Sequence, residues 1–256
     1  MPRISRKNLN TSFLHVMVQG VNKDYIFNKD YYKKQYLELI KKFKNEFNIE
    51  LLAYCIMSNH AHFAIFNEDK ETLGKFMHKA NFEYARLYNK AENRCGVLFR
   101  NRYNIEPIYN PKHLANCINY IHLNPVKAGM VEKCEDYKFS SYMDYMKNNG
   151  LATSDILHQI FGKNFDYTSM SKKQCGRLFM DVDPYSTSEV KECIQAGICE
   201  FEKINNLRIA DCFEDKNCLK LLVKYLKEEC AIPYFSIQEY FEMTNSTFNR
   251  IKKIDI

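Results

Sequence analysis

Residues 50–66, ELLAYCIMSNHAHFAIF, contain two apolar stretches that are separated only by the dipeptide SN. Two short apolar runs around a polar turn are typical of a β-hairpin, so we predict strands at 50–57 and 60–66. Because side chains alternate between the faces of a strand, His60 and His62 share one face, and the apolar residues beside them face a core. The hairpin therefore predicts an antiparallel sheet with one apolar face and one face that carries the two imidazoles.

The segments around the hairpin predict how the sheet is completed. Apolar residues recur at helical spacing in 30–47 and 71–91, and the apolar stretches at 12–20 and 104–109 read as strands. The second of these contains a proline, which indicates an edge strand. The order strand, helix, strand, strand, helix, strand predicts an α+β fold of the ferredoxin-like split βαβ type, an antiparallel sheet with helices. One further helix is predicted from 111 to 123.

The further helix carries a second set of polar side chains. Asn110 can cap it and Pro111 can occupy its first position. We expect it to end before Pro125, because the residue that precedes a proline disfavours helical backbone. Tyr120 and Asn124 lie one turn apart on a polar stripe beside the apolar face. Tyr120 is therefore either a residue at the edge of a core or a group that presents its hydroxyl to a site.

The polar segment 146–155, MKNNGLATSD, indicates a boundary between a domain at 1–147 and an all-helical C-terminal region at 155–256. Within that region, 236–254 reads as a helix, a short turn and a second helix that carries Arg250. Such a pair is either a helix-turn-helix that could enter a DNA major groove or part of a small helical bundle.

Charge is distributed unevenly along the chain. Residues 1–150 hold 23 Lys and Arg but 15 Asp and Glu, a net charge of +8, whereas the whole chain has +6. A basic first half favours an anionic partner such as nucleic acid, although a solvated basic surface has the same composition. The stretch VLFRNRYN brings together Arg100, Arg102 and Tyr103, residue types that suit phosphates and bases, but it can equally be an ordinary exposed loop. Lys127 is a similar candidate.

The ten cysteines form no CxxC pair, which argues against a zinc ribbon and against a disulfide framework. No apolar run approaches the ~20 residues of a membrane span, and the basic, polar N-terminus is not typical of a secretion signal. We therefore expect reduced thiols, a cytoplasmic location and no membrane partner.

The paired histidines admit two interpretations. They can be ordinary strand histidines, or they can converge on one cation. Two imidazoles on one face leave open coordination positions, which suits a catalytic ion that holds substrate oxygens. The HxH spacing alone is weak evidence for a metal site.

Six segments occur in this order: PR (2–3), FLHVMVQGVNKDYIF (13–27), AYCIMSNHAHFAI (53–65), GVLFRNRY (96–103), YIHLNPVKAGMV (120–131) and DYKFSSYMDY (136–145). Together they resemble the REP-associated tyrosine transposases, a branch of the single-tyrosine HUH transposases. The similarity covers residue 1 to about 147. Gln19 and Phe139 stand where relatives often have arginine and tryptophan.

The resemblance implies roles for particular residues. His60 and His62 would hold a divalent metal, Mg²⁺ or Mn²⁺, with Asn124 as a third ligand, and the predicted extra helix would supply Tyr120 as the nucleophile. The candidate DNA contacts are Arg3, Arg100, Arg102, Lys127 and Arg250.

The implied activity is that of a transposase-type endonuclease and strand transferase. It would cut and rejoin single-stranded DNA with hairpin (REP-like) structure through a 5′-phosphotyrosine intermediate. Relatives include monomers and dimers, so a homodimer is also open. Two alternatives remain: a domesticated DNA-binding regulator that does not cut, and a metal-dependent nuclease in which water is the nucleophile.

Overall fold

The computed structural model describes residues 11–147, 150–162, 179 and 187–252. The chain divides into two compact units, Met1–Ser171 and Lys172–Ile256. The first unit contains a sheet with helices, and the described part of the second contains helices only. The predicted α+β organisation with a helical C-terminal region is confirmed.

The first unit begins with six elements: β1 (Phe13–Gln19), α1 (Asp30–Glu46), β2 (Glu50–Ile56), β3 (His60–Phe66), α2 (Lys70–Ala91) and β4 (Asn104–Ile108). The strands form one antiparallel sheet in the order β2-β3-β1-β4. Because α1 connects β1 to β2, and β3 lies between these two strands, the arrangement is the predicted ferredoxin-like split βαβ.

Helices α1 and α2 cover the apolar face of the sheet. The ring of Phe63 on β3 lies 6.2 Å from Tyr36 of α1, which in turn lies 4.9 Å from Tyr84 of α2. Tyr36 donates a hydrogen bond to Oδ1 of Asn81 at 2.7 Å, and Tyr84 donates to the carbonyl of Ile26 at 2.6 Å. These buried hydroxyls are therefore satisfied as parts of the core, and the opposite face of the sheet carries the histidine pair.

Helix α3 (Pro111–Lys127) packs on the histidine face, against β2 and β3. Its first turn is capped as predicted, since the Asn110 side chain accepts a hydrogen bond from the backbone N–H of His113 at 2.7 Å. The predicted apolar stripe is buried and consists of Leu114, Cys117, Ile118 and Ile121.

The predicted end of this helix before Pro125 is wrong, because α3 continues to Lys127 with the proline inside it. Pro125 removes one helical hydrogen bond. The three backbone N–H groups that follow Lys127 nevertheless donate to carbonyls of the last turn at 2.9 to 3.0 Å, and Gly129 closes the turn with a φ of 65°. Asn124 and Pro125 are also buried, and this packing outweighs the local preference of a residue before proline. The longer helix keeps Asn124 and Lys127 on the same element as Tyr120.

The chain after α3 runs beside β2. Ile56 donates its backbone N–H to the carbonyl of Phe139, and Tyr54 and Ser141 are joined by backbone and side-chain hydrogen bonds of 2.8 to 2.9 Å. Thr153 also donates its N–H to a carbonyl of β2. Phe139, Ser141 and Thr153 are therefore held against β2. Two short helices follow in this part, α4 (Tyr142–Lys147) and α5 (Asp155–Phe161).

The described part of the second unit contains α6 (Thr187–Asn205), α7 (Ile209–Glu214), α8 (Lys216–Glu228), α9 (Tyr234–Tyr240) and α10 (Asn245–Lys252). Helices α9 and α10 form the predicted helix, turn and helix. Their buried residues Ile237, Phe248 and Ile251 share one apolar core with Leu222 and Leu226 of α8. The pair therefore packs as part of a small bundle. No described helix in either unit is both long and apolar enough to cross a membrane.

One pair of cysteines departs from the expectation of reduced thiols. Cys212 of α7 and Cys218 of α8 form a disulfide, with their Cα atoms 4.8 Å apart. Cys55, Cys95, Cys134 and Cys199 are free thiols. A spacing of six residues is uninformative by itself, because only the sharp turn between the two helices brings these side chains together.

Candidate active site

His60 and His62 lie on the same face of β3, as the strand alternation predicts. Their ring centroids are 4.8 Å apart, and the two rings are nearly perpendicular, at 89°. His62 is fully buried and His60 is half-buried at the end of the strand. The two imidazoles are close enough for both to approach a single ion.

Tyr120 projects from α3 toward the same face of the sheet. Its ring stands edge-on to His62 at a centroid distance of 5.8 Å and to His15 of β1 at 6.1 Å. Only 3% of Tyr120 is exposed. The structure thus brings together three residues that are predicted to form the site, from two elements about sixty residues apart in sequence.

His15 is a member of this cluster that the sequence analysis did not identify. It is fully buried, and its Nε2 lies within hydrogen-bond distance of Nδ1 of His62, at 3.0 Å. The two rings are stacked with centroids 5.2 Å apart. Alternation along β1 places His15, Met17 and Gln19 on one face, but this signal does not say which strand lies next to them.

Glu106 and His113 extend the cluster. Oε2 of Glu106, on β4, lies 3.5 Å from Nδ1 of His15. Its other oxygen, Oε1, lies 3.9 Å from Nε2 of His113 in the first turn of α3. The predicted polar stripe of α3 is therefore partly buried here, where His113 faces a carboxylate instead of solvent.

Hydrogen bonds at Nδ1 orient both members of the histidine pair. Nδ1 of His60 lies 2.5 Å from Oδ1 of Asn59, and Nδ1 of His62 is engaged by His15. Histidine ligands commonly bind a metal through one ring nitrogen while the other holds a partner, so Nε2 is the atom of each ring that would ligate. Among the described residues, no three His, Cys, Asp or Glu side chains are grouped so that they could hold a metal ion.

Asn124 and Lys127 both contact Tyr120. Nδ2 of Asn124 donates a hydrogen bond of 3.0 Å to the carbonyl of Tyr120, so Oδ1 is the amide atom that could act as a ligand. The ammonium of Lys127, which is exposed, lies 5.3 Å from the centre of the Tyr120 ring. A cation therefore lies over the face of the phenol ring.

Arg100 and Arg102 are exposed in the segment before β4. The backbone N–H of Arg100 donates to the carbonyl of Gln19 at 2.8 Å. Because Gln19 is the register partner of His60, this segment passes the end of the sheet that carries the histidine pair. Tyr103 is only 6% exposed, so its ring does not lie open on the surface for stacking on bases.

Two other candidate DNA contacts belong to other parts of the chain. Arg3 lies outside the described residues. Arg250 is exposed on α10, in the second unit.

His122 lies two residues after Tyr120 and so faces away from the cluster. Its Nε2 is 2.8 Å from Oγ of Ser141, and the rings of Tyr142 and Tyr145 stand edge-on at 5.5 and 5.4 Å. Burial lowers the pKa of His122 to about 3. This histidine is therefore neutral at physiological pH and belongs to the packing of α3.

Two known proteins are similar to parts of this chain. A REP-associated tyrosine transposase of Haemophilus influenzae is 27% identical over 140 residues, which cover 51% of this chain and 78% of that protein. A solved structure of a REP-associated tyrosine transposase bound to a REP hairpin matches with a TM-score of 0.48 and 21% identity, over 60% of this chain and 90% of that chain.

The family model for IS200-like transposases matches residues 8–124. This range contains the whole sheet, the histidine pair and Tyr120. Residues 8–124 are therefore similar to the IS200-like transposases.

Proposed function

We propose that the first unit cuts and rejoins single-stranded DNA, with Tyr120 as the nucleophile and a divalent metal bound beside it. The observation that carries the proposal is the position of the Tyr120 ring, edge-on to His62 at 5.8 Å and on the face that also holds His60. The match of residues 8–124 to the family model for IS200-like transposases supports the same reaction class. A nucleophile from a helix and two imidazoles from a strand meet here as a phosphoryl-transfer site requires.

The residues present fit a divalent cation. His60 and His62 would hold it through Nε2, and the Asn124 amide oxygen would be the third ligand from the chain. Imidazole and amide donors in an incomplete set suit Mn²⁺ or Mg²⁺, with other positions taken by water or phosphate oxygens. When bound there, such an ion would polarise the scissile phosphate and offset its developing negative charge.

Tyr120 performs the covalent step. Its phenol oxygen loses a proton to solvent and forms a bond to phosphorus, while the bond from phosphorus to the 3′ oxygen breaks and that oxygen takes up a proton. A 5′-phosphotyrosine results, which preserves the phosphodiester bond so that a later 3′-hydroxyl can reverse the step. Because only 3% of Tyr120 is exposed, the DNA strand must displace the side chains over the ring before attack.

Exposed cations near the cluster supply the proposed DNA contacts. The ammonium of Lys127 lies over the Tyr120 ring. The backbone N–H of Arg100 donates to the carbonyl of Gln19, which is the register partner of His60 at the end of β1. Arg102 is exposed two residues further on. Guanidinium and ammonium groups in these positions would pair with phosphates on either side of the cut. Arg3 and Arg250 stay predicted contacts, and we propose hairpin-forming single-stranded DNA as the substrate.

The experiment is to incubate the full-length chain with labelled hairpin-containing single-stranded DNA and Mn²⁺ or Mg²⁺. We expect a protein–DNA adduct that survives denaturant. It should be lost in Tyr120→Phe and on chelation, and strongly reduced in His60→Ala and His62→Ala. Tyr109→Phe is the matched control, because Tyr109 is an exposed tyrosine just before α3.

Each alternative has its own result. An adduct that persists in Tyr120→Phe would refute the assignment of the nucleophile. Cleavage without any adduct would indicate that water attacks, and binding without cleavage would indicate a regulator. Normal cleavage in the two histidine variants would refute the metal site.

A further inference from the structure

Three side chains form a row across three adjacent strands on the histidine face. His15 on β1 is the register partner of Glu106 on β4, and it is a diagonal neighbour of His62 on β3, which pairs with Met17. His15 Nε2 lies 3.0 Å from His62 Nδ1, and His15 Nδ1 lies 3.5 Å from Glu106 Oε2. The buried imidazole of His15 thus connects a carboxylate to His62.

The carboxylate would favour one arrangement of the protons in the row. A carboxylate favours a donor opposite it, so Glu106 favours a proton on Nδ1 of His15. Neutral His15 then has its lone pair on Nε2 and accepts the proton of His62 Nδ1. This leaves the lone pair of His62 on Nε2, the atom that would ligate a metal. The opposite polarity would place the proton of a neutral His62 on Nε2 and block ligation.

The row also reaches the helix that carries the tyrosine. His113, in the first turn of α3, lies 3.9 Å from the other oxygen of Glu106. His113 and Tyr120 are seven residues apart, so they project from the same side of α3. Glu106 therefore contacts both the histidine beside His62 and the helix of the nucleophile.

We infer from this geometry that Glu106 and His15 are positioning residues, which hold His62 in the tautomer and orientation that binds the metal. The inference rests on the metal-dependent function proposed above. It concerns residues that do not themselves touch the ion. In known sites, loss of such an outer partner lowers metal affinity by about 10- to 100-fold.

The tautomer of His62 can be measured in the full-length chain without metal or DNA. Long-range ¹H–¹⁵N spectra distinguish a protonated ring nitrogen from an unprotonated one. We expect the proton of His62 on Nδ1 in the wild type and a mixture of tautomers in His15→Phe. A proton on Nε2 of His62 in the wild type would overturn the inference.

Metal affinity gives a second measurement, by calorimetric titration of the full-length chain with Mn²⁺. We expect His15→Phe and Glu106→Leu, which removes both carboxylate oxygens, to bind Mn²⁺ about 10-fold or more weakly. His15→Gln offers a side-chain carbonyl as acceptor and should recover much of the affinity that His15→Phe loses. Glu83→Gln removes a carboxylate that pairs with Arg86 on α2, and it should leave the affinity unchanged.

These measurements separate the two proposals. If Tyr120 forms the DNA adduct but His15→Phe and Glu106→Leu bind Mn²⁺ as the wild type does, the positioning role is wrong and the function stands. If both variants bind Mn²⁺ weakly and His62 has the expected tautomer, but no adduct forms, the positioning role stands and the strand-transfer function is wrong. Should His15→Phe fail to fold, Glu106→Leu, at the half-buried end of the row, decides the question.

Discussion

His122 should make the first unit sensitive to mild acid. The pKa of a histidine in the unfolded chain is about 6.5, whereas burial lowers that of His122 to about 3 in the folded protein. Between these values the unfolded chain binds a proton that the folded chain does not. The contribution of His122 to stability is therefore fully present above pH 6.5 and is lost as the pH falls toward 3.

The size of the effect follows from the width of this window. Each pH unit inside it lowers the free energy of unfolding by about 1.4 kcal/mol, so the loss between pH 7.5 and pH 5 is about 2 kcal/mol. In His122→Gln the side chain can still bond to Ser141 but does not titrate in this range. The variant should therefore lose about 2 kcal/mol less than the wild type over the same interval.

The assay is urea unfolding of both proteins at pH 7.5 and pH 5. Hydrogen-exchange labelling of peptides from β2 and β3 restricts the measurement to the first unit. His122→Leu, which removes the polar atoms as well, is a second variant and should show the same reduced pH dependence. Equal losses in wild type and variants would refute the reasoning, because the proton uptake would then have to occur at other groups.

Three further predictions concern two glycines and a lysine. In Gly20→Ala the new Cβ would overlap the carbonyl oxygen of Asp24 and lie 3.1 Å from Ile26. We therefore expect the free energy of unfolding of the first unit, measured by thermal unfolding, to fall by about 1–3 kcal/mol. In Gly74→Ala, inside α2, the new Cβ would lie 3.9 Å from the Tyr103 hydroxyl, and the substitution should raise the free energy of unfolding by about 0.5–1 kcal/mol. A lower free energy of unfolding in this variant would contradict the packing described. In Lys127→Met, binding of single-stranded DNA should weaken, and the slope of log K against log salt should become shallower by about 0.7. An unchanged slope would remove Lys127 from the phosphate contacts.

Most of the fold could be predicted from the sequence because each strand and helix of the sheet region has a characteristic local pattern of apolar residues. The strands and helices of the sheet region follow from apolar spacing, and their bounds are correct to within a residue or two. The end of α3 was missed for a physical reason. A local rule about Pro125 cannot weigh the burial of the last turn, which is a tertiary effect. The Cys212–Cys218 disulfide was missed because it depends on a turn between two short helices.

Only part of the candidate site could be predicted from such local patterns. The HxH spacing shows that His60 and His62 share a face, but periodicity cannot say which strand lies next to β3. The order β2-β3-β1-β4 places β1 there, and this brings His15 to His62 across 47 residues of sequence. The same order places Glu106 beyond His15, at the edge strand. A pattern that repeats within one element can thus reveal the residues that would touch the metal. The residues that orient them become visible only when the strand order is known, because their relation is set by neighbours in the sheet.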